Sequence, residues 1–206
     1  MGTLVLLRHG QSQWNLENRF TGFVDVDLTQ EGRTEAQQAG HLLKQAGLSF
    51  DQVFTSTLKR AMETTELALC EAGQWDDHKD NIIRHDDLRE RNYGDLAGLN
   101  KAETAQKFGD DQVHIWRRSY DTPPPGGESL KDVVERVEPY YEAHIKPLME
   151  AGKNVLIGAH GNTLRAMLII LGERTPDNIN EAEMPTGVPM AFEYQDGAYS
   201  AGRFLR

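Results

Sequence analysis

Residues 4–15, LVLLRHGQSQWN, begin as a short apolar run and then change abruptly to an arginine, a histidine and a glycine. A continuous apolar run of this length is typical of a β-strand that is buried on both faces of a sheet. Residues 154–165, NVLIGAHGNTLR, repeat the pattern, because another apolar run ends there in His160-Gly161 and a helical segment follows. Ligands of open α/β sheets bind outside the carboxyl ends of the strands. If the two strands are neighbours, we expect His9 and His160 to meet over one crevice.

Runs typical of strands alternate with runs typical of helices along the rest of the chain. Strands are predicted at residues 3–7, 51–56, 82–84, 155–159, 190–194 and 199–205. Helices are predicted after a Thr29 N-cap and over residues 58–72, 101–108, 111–120 and 163–171. A further long helix is predicted to begin at a Ser129 capping box, and we expect Pro139 and Pro147 to kink or split this helix. This alternation indicates a three-layer α/β/α sandwich around a mainly parallel sheet. We predict a single domain over residues 1–206.

Composition excludes several classes of protein. The chain has 206 residues, of which 38% are hydrophobic, so it can bury a sizeable core. Its net charge of -10 and pI near 5.2 argue against a non-specific nucleic-acid binder, which needs a basic face. No apolar run approaches the roughly 20 residues of a membrane helix, and the first residues show no basic, cleavable leader. We expect a soluble, cytoplasmic protein without a membrane or nucleic-acid partner.

The single cysteine excludes an intramolecular disulfide. Cys70 lies in the segment LALCEA, which leads us to expect a small buried hydrophobic side chain.

The two His-Gly corners allow three interpretations. Gly10 and Gly161 would let backbone N–H groups approach an anion closely, as at a helix N-terminus. A lone strand-end histidine is more often bonded to a nearby carbonyl, but the second corner and the flanking Arg8 weigh against that interpretation. A metal pair is disfavoured, because Arg8 would repel a cation and no Asp or Glu adjoins either histidine. We therefore predict an anion site without metal.

Seven segments, in order, resemble the cofactor-dependent phosphoglycerate mutases of the histidine phosphatase superfamily. They are LRHGQSQWN (7–15), FTGF (20–23), LKRAMET (58–64), LRERNYGDLAGLNKAET (88–104), WRRSYDTPPP (116–125), HGNTLRA (160–166) and PTGVP (185–189). The Arg-His-Gly triplet alone supports only the superfamily, whereas the later segments are specific to the mutase branch. The resemblance implies the glycolytic and gluconeogenic interconversion of 3-phosphoglycerate and 2-phosphoglycerate. It also implies a phosphohistidine intermediate that is primed by 2,3-bisphosphoglycerate.

The resemblance assigns catalytic roles to five residues. It implies that His9 is the nucleophile that carries the phosphoryl group, and a reference pKa of about 6.5 leaves a histidine largely unprotonated near neutral pH. Arg8 and Arg60 are expected to clamp the phosphate oxygens, with His160 bonded to the same group in the transition state. Glu90 matches the proton donor and acceptor that the substrate hydroxyl needs. The residues alone leave open that Arg60 is a solvated helix charge and that Glu90 pairs with a neighbouring arginine.

The resemblance also implies a set of substrate-binding residues. Beside Arg8, Arg60 and Glu90, the expected set comprises Ser12, Asn15, Thr21, Gly22, Tyr93, Lys101, Arg117, Arg118, Gly161 and Asn162. Asn15, Thr21 and Gly22 are equally ordinary loop formers. Adjacent residues on a helix point about 100° apart, so a structural role for either Arg117 or Arg118 stays open.

Two other functions fit parts of the pattern. A phosphatase on the same scaffold would use the same histidines and arginines, with water as the acceptor. A non-catalytic module that binds phosphorylated ligands should lack His9, His160 or the acid, and this chain has all three.

Two departures from the longer mutases affect these expectations. A segment of roughly 25 residues that such mutases often carry is missing after Pro125, a loss that a fold tolerates. The sequence also stops at Arg206, where longer relatives continue into a tail near the active site, so we expect some hydrolysis of 2,3-bisphosphoglycerate. A homodimer and a monomer are both compatible with the sequence.

Overall fold

Seven strands form one sheet in a computed structural model of the chain, which describes residues 1–206. The strands are β1 (Gly2–Arg8), β2 (Gln52–Thr55), β3 (Ile83–Arg84), β4 (Val155–Ala159), β5 (Met190–Gln195), β6 (Ala198–Tyr199) and β7 (Arg203–Phe204). Their order is β3-β2-β4-β1-β5-β6, and β7 pairs with β5. The first four strands in this order are parallel, whereas β5, β6 and β7 are joined antiparallel. The central sheet is therefore mixed, and its parallel half carries both His-Gly corners.

Helices cover both faces of this sheet. They are α1 (Gln13–Leu16), α2 (Gln30–Gln45), α3 (Lys59–Ala72), α4 (Trp75–His78), α5 (Lys101–Phe108), α6 (Asp110–Arg118), α7 (Leu130–Tyr140), α8 (Lys146–Glu150) and α9 (Gly161–Ile170). Single 3-10 turns lie at Asp86–Leu88, Gly94–Leu96 and Ile179–Glu181, and a π-helical turn lies at Tyr141–Ile145. None of the helices combines the length and the apolar character required to cross a lipid bilayer.

The central strand β1 separates two hydrophobic cores. Leu4 and Leu6 pack with α7 and α9, whereas Val5 and Leu7 pack with α2 and α3. Successive side chains of a strand point to opposite faces, so a continuous apolar run contributes side chains to the hydrophobic cores on both faces of the sheet. The predicted α/β/α sandwich is confirmed.

The sequence signals at the helix ends are confirmed in most cases. The Thr29 hydroxyl accepts a hydrogen bond from Gly32 N and begins α2, and Ser129 forms the predicted capping box of α7. The long helix is interrupted by a π-helical turn between α7, which contains Pro139, and α8, whose second residue is Pro147. Proline removes a donor and crowds the preceding turn, which accounts for the break. The short helices α1 and α4 were missed.

The expectation that Cys70 is buried is wrong. Its side chain is exposed on α3, whose buried face includes Ala68, Leu69 and Ala72. Cys70 follows Leu69 by one residue and therefore lies about 100° around the helix from it. The apolar character of the segment LALCEA concealed this change of face.

The sheet register brings the two corners side by side. β1 and β4 pair in parallel from Leu4 opposite Val155 to Arg8 opposite Ala159. His9 N continues the ladder by donating to Ala159 O at 3.0 Å. Since both strands end at the same level, His9 and His160 occupy equivalent positions, as predicted.

Candidate active site

A cavity of about 160 Å³ opens at the carboxyl ends of β1 and β4. It is lined by Arg8, His9, Asn15, Arg19, Phe20, Thr21, Gly22, Arg60, Glu90, Tyr93, Lys101, Arg117, Arg118, Gly161, Asn162 and Arg165. Seven of these side chains are cationic and one is a carboxylate. On a chain with a net charge of -10, this concentration of positive charge indicates a site for a small polyanion.

His9 lies in the wall of the cavity with only 3% of its surface exposed. Its Nδ1 lies 2.6 Å from the carbonyl oxygen of Gly10, which can only accept a hydrogen bond. The ring proton is therefore assigned to Nδ1, and Nε2 keeps its lone pair. Burial holds the pKa of His9 well below its usual value, and the charges of Arg60 and Arg8 lower it further. His9 is thus a neutral imidazole with a free nucleophilic nitrogen.

His160 lies behind His9 and does not line the cavity. The two ring centroids are 5.1 Å apart, and His160 is fully buried. Its Nε2 is 2.7 Å from the hydroxyl of Ser56, which accepts from Leu58 N at 3.2 Å. If Ser56 donates its own proton to Nε2, His160 carries its proton on Nδ1, and that atom has no partner within the protein. Burial lowers the pKa of His160 well below its usual value, followed by the charge of Arg60.

Gly10 serves packing and does not present its N–H to a ligand. Gly10 N donates to the Thr64 hydroxyl at 3.0 Å, and that hydroxyl donates to Arg60 O at 2.7 Å. A Cβ atom at position 10 would collide with the backbone of Gly32. The expectation that Gly10 binds an anion is therefore corrected, whereas Gly161, the first residue of α9, does line the cavity.

Glu90 is held at the start of α9 by backbone groups. Its Oε1 accepts from Arg91 N at 2.8 Å and from Asn162 N at 3.2 Å, while Oε2 has no partner in the protein. The side chain of Arg89 pairs with Asp86, and the Arg91 guanidinium stacks on a tyrosine ring. Glu90 thus pairs with neither neighbouring arginine, and one of its carboxylate oxygens is free within the cavity.

Three of the cavity's cations are anchored to the protein by short hydrogen bonds. Arg60 donates to the carbonyls of Gly22 and Val24 at 2.7 and 2.8 Å, and Arg8 donates to Met184 O at 2.7 Å. Burial lowers the pKa of Arg60 to about 10, so it stays protonated at neutral pH.

Arg19 is the third anchored cation. It pairs with Glu17 at 2.8 Å and donates to Gly98 O at 2.7 Å.

The other four cations, Lys101, Arg117, Arg118 and Arg165, form no ion pair with an acid of this chain. Burial lowers the pKa of Lys101, and Arg117 and Arg8 lower it further. Burial likewise lowers the pKa of Arg117, and the charge of Arg118 lowers it further. Both arginines line the cavity from the last turn of α6, and the contact of each with a ligand stays a prediction.

Two of the expected site residues lie outside the cavity lining, namely His160 and Ser12. Ser12 is fully buried and caps α1, because its hydroxyl accepts from Asn15 N at 3.2 Å while Asn15 Oδ1 accepts from Ser12 N at 3.0 Å. The Ser12 side chain is thus used by the cap, and contact of Ser12 with the substrate stays a prediction. The other thirteen expected residues line the cavity.

Sequence reasoning missed three residues of the lining, Arg19, Phe20 and Arg165. Phe20 opens the quoted segment FTGF, and Arg165 lies three residues after Asn162. Residues three apart share a helix face, so this spacing was a usable signal for Arg165.

A half-buried ion pair beside the segment that carries Glu90 was also missed. Arg136 Nε donates to Glu128 Oε1 and Arg136 Nη2 donates to Glu128 Oε2, both at 3.0 Å. Arg136 Nη1 donates to Asp87 O at 2.6 Å. Glu128 in turn accepts from Asn92 N at 2.8 Å. This clamp, defined as Arg136 with Glu128, holds both ends of the segment that carries Glu90.

Metal-binding side chains are not clustered in this structure. No group of three or more His, Cys, Asp or Glu side chains is placed to hold one.

Comparison with known proteins identifies the family of the chain. The sequence model of the histidine phosphatase superfamily (branch 1) matches residues 4–204. A 2,3-bisphosphoglycerate-dependent phosphoglycerate mutase of Methylocella silvestris is 56% identical over 189 residues, covering 92% of this chain and 90% of the relative. A protein of the same name from Brucella anthropi is 53% identical over 190 residues, covering 92% and 91%.

Solved structures share the fold at lower identity. Mycobacterial hydrolase 1 matches with a TM-score of 0.81 and 25% identity, covering 98% of this chain and 96% of that one. A mycobacterial glucosyl-3-phosphoglycerate phosphatase complexed with VO3 matches with a TM-score of 0.81 and 26% identity, covering 98% and 96%. The chain belongs to the histidine phosphatase superfamily, branch 1, and within it to the 2,3-bisphosphoglycerate-dependent phosphoglycerate mutases.

Proposed function

We propose that the cavity interconverts 3-phosphoglycerate and 2-phosphoglycerate with His9 as the phosphoryl carrier. The protein is an isomerase that is primed by 2,3-bisphosphoglycerate. The observation that carries the residue assignment is the free Nε2 of a neutral His9 in a cavity lined by seven cations and one carboxylate. Phosphoryl transfer depends mainly on positioning and on neutralisation of charge, and this lining supplies both.

His9 takes the phosphoryl group through Nε2. As the N–P bond forms, the P–O bond of 2,3-bisphosphoglycerate breaks, and the departing oxygen takes a proton from Glu90. The monophosphoglycerate product leaves, and a substrate molecule presents its free hydroxyl to phosphohistidine. Glu90 removes the hydroxyl proton as the new P–O bond forms, so proton and phosphoryl group are both conserved over the cycle. The free Oε2 of Glu90 suits this exchange.

The groups around His9 stabilise the charge on the transferring phosphoryl oxygens. Arg8 and Arg60 are held by backbone carbonyls and supply fixed positive charge. The ring centroid of His160 lies 5.1 Å from that of His9, and with its proton on the unpartnered Nδ1 this ring would be a neutral donor beside the nucleophile. These charges replace a metal ion, which the surrounding cations would repel.

The free cations bind the end of the substrate that does not react. Lys101, Arg117 and Arg118 carry donors without protein partners, as a carboxylate and a second phosphate require. Tyr93 and Asn162 complete this wall, with their side chains 3.3 Å apart. A lining so rich in cations fits 2,3-bisphosphoglycerate better than a phosphate monoester.

A phosphatase is the second candidate, since the solved structures named above include a hydrolase and a phosphatase. Water would then attack phosphohistidine in place of the substrate hydroxyl. The mutase is favoured because relatives above 50% identity carry that name.

The test labels the protein and measures turnover on one preparation. Incubation with labelled 2,3-bisphosphoglycerate should leave an acid-labile, alkali-stable phosphate on the wild type and on His41→Ala, an exposed-histidine control. His9→Ala should take no label and should lose mutase activity in a coupled assay run with and without a chelator. Label that persists on His9→Ala would move the nucleophile elsewhere. Phosphate release faster than isomerisation would favour the phosphatase.

A further inference from the structure

Ser56 is a buried serine that contacts His160 and does not line the cavity. It follows β2 directly, as His160 follows β4, and the two strands pair in parallel. Ser56 N donates to Gly158 O at 3.3 Å, which extends this pairing beyond the end of β2. Both side chains are fully buried, and Ser56 Oγ lies 2.7 Å from His160 Nε2. The sheet itself therefore places the hydroxyl against the imidazole.

The partners of the Ser56 hydroxyl decide the direction of this hydrogen bond. A serine hydroxyl has one proton and two lone pairs. Leu58 N can only donate, and it uses one lone pair at 3.2 Å. If His160 Nε2 also donated, the hydroxyl proton would have no acceptor, because Ser56 Oγ has no third partner. An unpaired buried donor costs about 1–3 kcal/mol. Ser56 therefore donates to His160 Nε2.

This direction fixes the tautomer of His160. A neutral imidazole that accepts at Nε2 carries its proton on Nδ1. Burial lowers the pKa of His160 well below its usual value, so the ring is neutral near pH 7. Nδ1 is buried without a partner in the protein, and the ring centroid lies 5.1 Å from that of His9. A buried N–H without a partner is rare, and a phosphoryl oxygen on His9 supplies the acceptor that it lacks.

The other tautomer would oppose the reaction. Because Nε2 is occupied by Ser56, only Nδ1 of His160 is available to the phosphoryl group. With the proton on Nε2, Nδ1 would present a lone pair to the phosphoryl oxygens and repel them. Ser56 is the only group of the protein that bonds either ring nitrogen of His160. The tautomer therefore depends on this one hydroxyl.

We propose that Ser56 is a positioning residue that keeps the His160 proton on Nδ1, so that His160 donates to the phosphoryl group during transfer to and from His9. The proposal rests on the mutase function proposed above. Loss of one preorganised donor costs about 10²–10³-fold in rate. Ser56→Ala keeps the ring and frees its tautomer, so we expect a loss of about 10–100-fold, as for groups that orient metal-bound histidines.

The first experiment observes the tautomer directly. Long-range ¹H–¹⁵N correlation spectra of the ligand-free protein, recorded slightly above neutral pH, show which ring nitrogen carries the proton. The signals of His160 are those that His160→Ala lacks. In the wild type the proton should be on Nδ1. In Ser56→Ala at least part of the population should carry it on Nε2.

The second experiment separates phosphoryl transfer from binding. Rapid-quench assays measure transfer from labelled 2,3-bisphosphoglycerate to His9 over a range of concentrations. In Ser56→Ala the transfer rate should fall about 10–100-fold, while Kd for 2,3-bisphosphoglycerate should change by less than about threefold. In the His160→Ala background, Ser56→Ala should slow transfer by less than about a further threefold, because the hydroxyl acts through the ring.

Controls separate this role from a loss of packing. Ser56→Thr keeps the hydroxyl, so it should retain the Nδ1 proton and transfer faster than Ser56→Ala. Thr65→Val removes another buried hydroxyl, which donates to Ala61 O at 2.8 Å, and should change neither tautomer nor rate. Urea unfolding checks that each variant is folded.

Three results would overturn the proposal. They are a wild-type His160 with its proton on Nε2, a Ser56→Ala variant that transfers at the wild-type rate, and equal slowing by Ser56→Ala with and without His160. Absence of His9 labelling in the wild type would instead overturn the mutase mechanism, whereas the tautomer spectra test the role of Ser56 without turnover.

Discussion

The two buried histidines should make the stability of the protein fall steeply below neutral pH. His9 and His160 are neutral in the folded state, because burial and the charge of Arg60 hold both pKa values well below 6.5. In the unfolded chain each ring takes up a proton near its ordinary pKa of about 6.5. The folded pKa is the lower one, so the unfolded state binds more protons as pH falls. Stability is therefore highest above pH 6.5 and declines below it.

The size of the decline follows from proton linkage. At pH 5.5 an unfolded histidine is about nine-tenths protonated, which favours the unfolded state by about 1.4 kcal/mol for each ring that stays neutral when folded. Two such rings together give about 2.7 kcal/mol between pH 7.5 and 5.5. This is a sizeable part of the total stability of an ordinary domain, about 5–15 kcal/mol.

Urea unfolding at pH 7.5 and 5.5 measures the effect. The buffers should contain neither phosphate nor sulfate, because anions that bind the cavity stabilise the folded state. Between these pH values the wild type should lose about 1.4 kcal/mol more than His9→Gln, and also more than His160→Gln. His41→Gln, an exposed control, should follow the wild type. The reasoning is refuted if His9→Gln and His160→Gln lose as much stability as the wild type.

Two further substitutions test the placement of the acid and of the clamp. Glu90→Gln should stay folded and still bind 2,3-bisphosphoglycerate. In rapid-quench assays, phosphoryl transfer to and from the substrate hydroxyl should slow about 10²-fold or more. Near-normal turnover would assign the proton transfer to another group. Glu128→Ala should lower the free energy of unfolding by about 2–4 kcal/mol, because it leaves Arg136, 16% exposed, without its carboxylate and Asn92 N without its acceptor. The exposed pair of Glu142 with Lys146 is the matched control, since Glu142→Ala should cost about 0.5 kcal/mol or less, and an equal loss in the two variants would contradict a structural clamp.

The parts of the site that lie at the carboxyl ends of β1 and β4 could be predicted from the sequence. The apolar runs located β1 and β4, and the change to Arg8-His9 and to His160-Gly161 marked where they end. Parallel strands end at one edge of a sheet, so the meeting of the two histidines followed from general rules. The roles of Glu90 and of the distal cations depended on the resemblance to the mutase family.

The predictions that failed concern residues whose partners are distant in the chain or are backbone groups. Gly10 was expected to bind an anion, but its N–H is used by Thr64 and its lack of a side chain is required by Gly32. The hydroxyl of Ser12 caps a four-residue helix that periodicity could not detect. Loop residues with polar side chains suit either role, and only the folded arrangement decides between them.

The clamp of Arg136 with Glu128 had no sequence signal of its own. An arginine on a helix such as α7 is usually a solvated surface charge. Here it faces the loop that carries Glu90 and donates to three of its carbonyls. A single sequence cannot show which loop a helix packs against, so such positioning residues emerge only from the structure.

The division of the cations into anchored and free groups matches the two demands that a mutase places on one cavity. In the proposed mechanism the phosphoryl group must always meet His9 in the same geometry, and Arg8 and Arg60 are fixed by backbone carbonyls before any ligand arrives. The rest of the intermediate must be bound in two orientations, because either of its phosphates has to reach His9 in turn. Donors that are already committed to the protein could fit only one of these orientations. Long side chains without protein partners, as at Lys101 and Arg117, can rearrange as the carboxylate and the second phosphate exchange places. Rigidity beside the nucleophile and freedom at the far end are therefore consequences of one requirement, that a single site holds the same molecule twice.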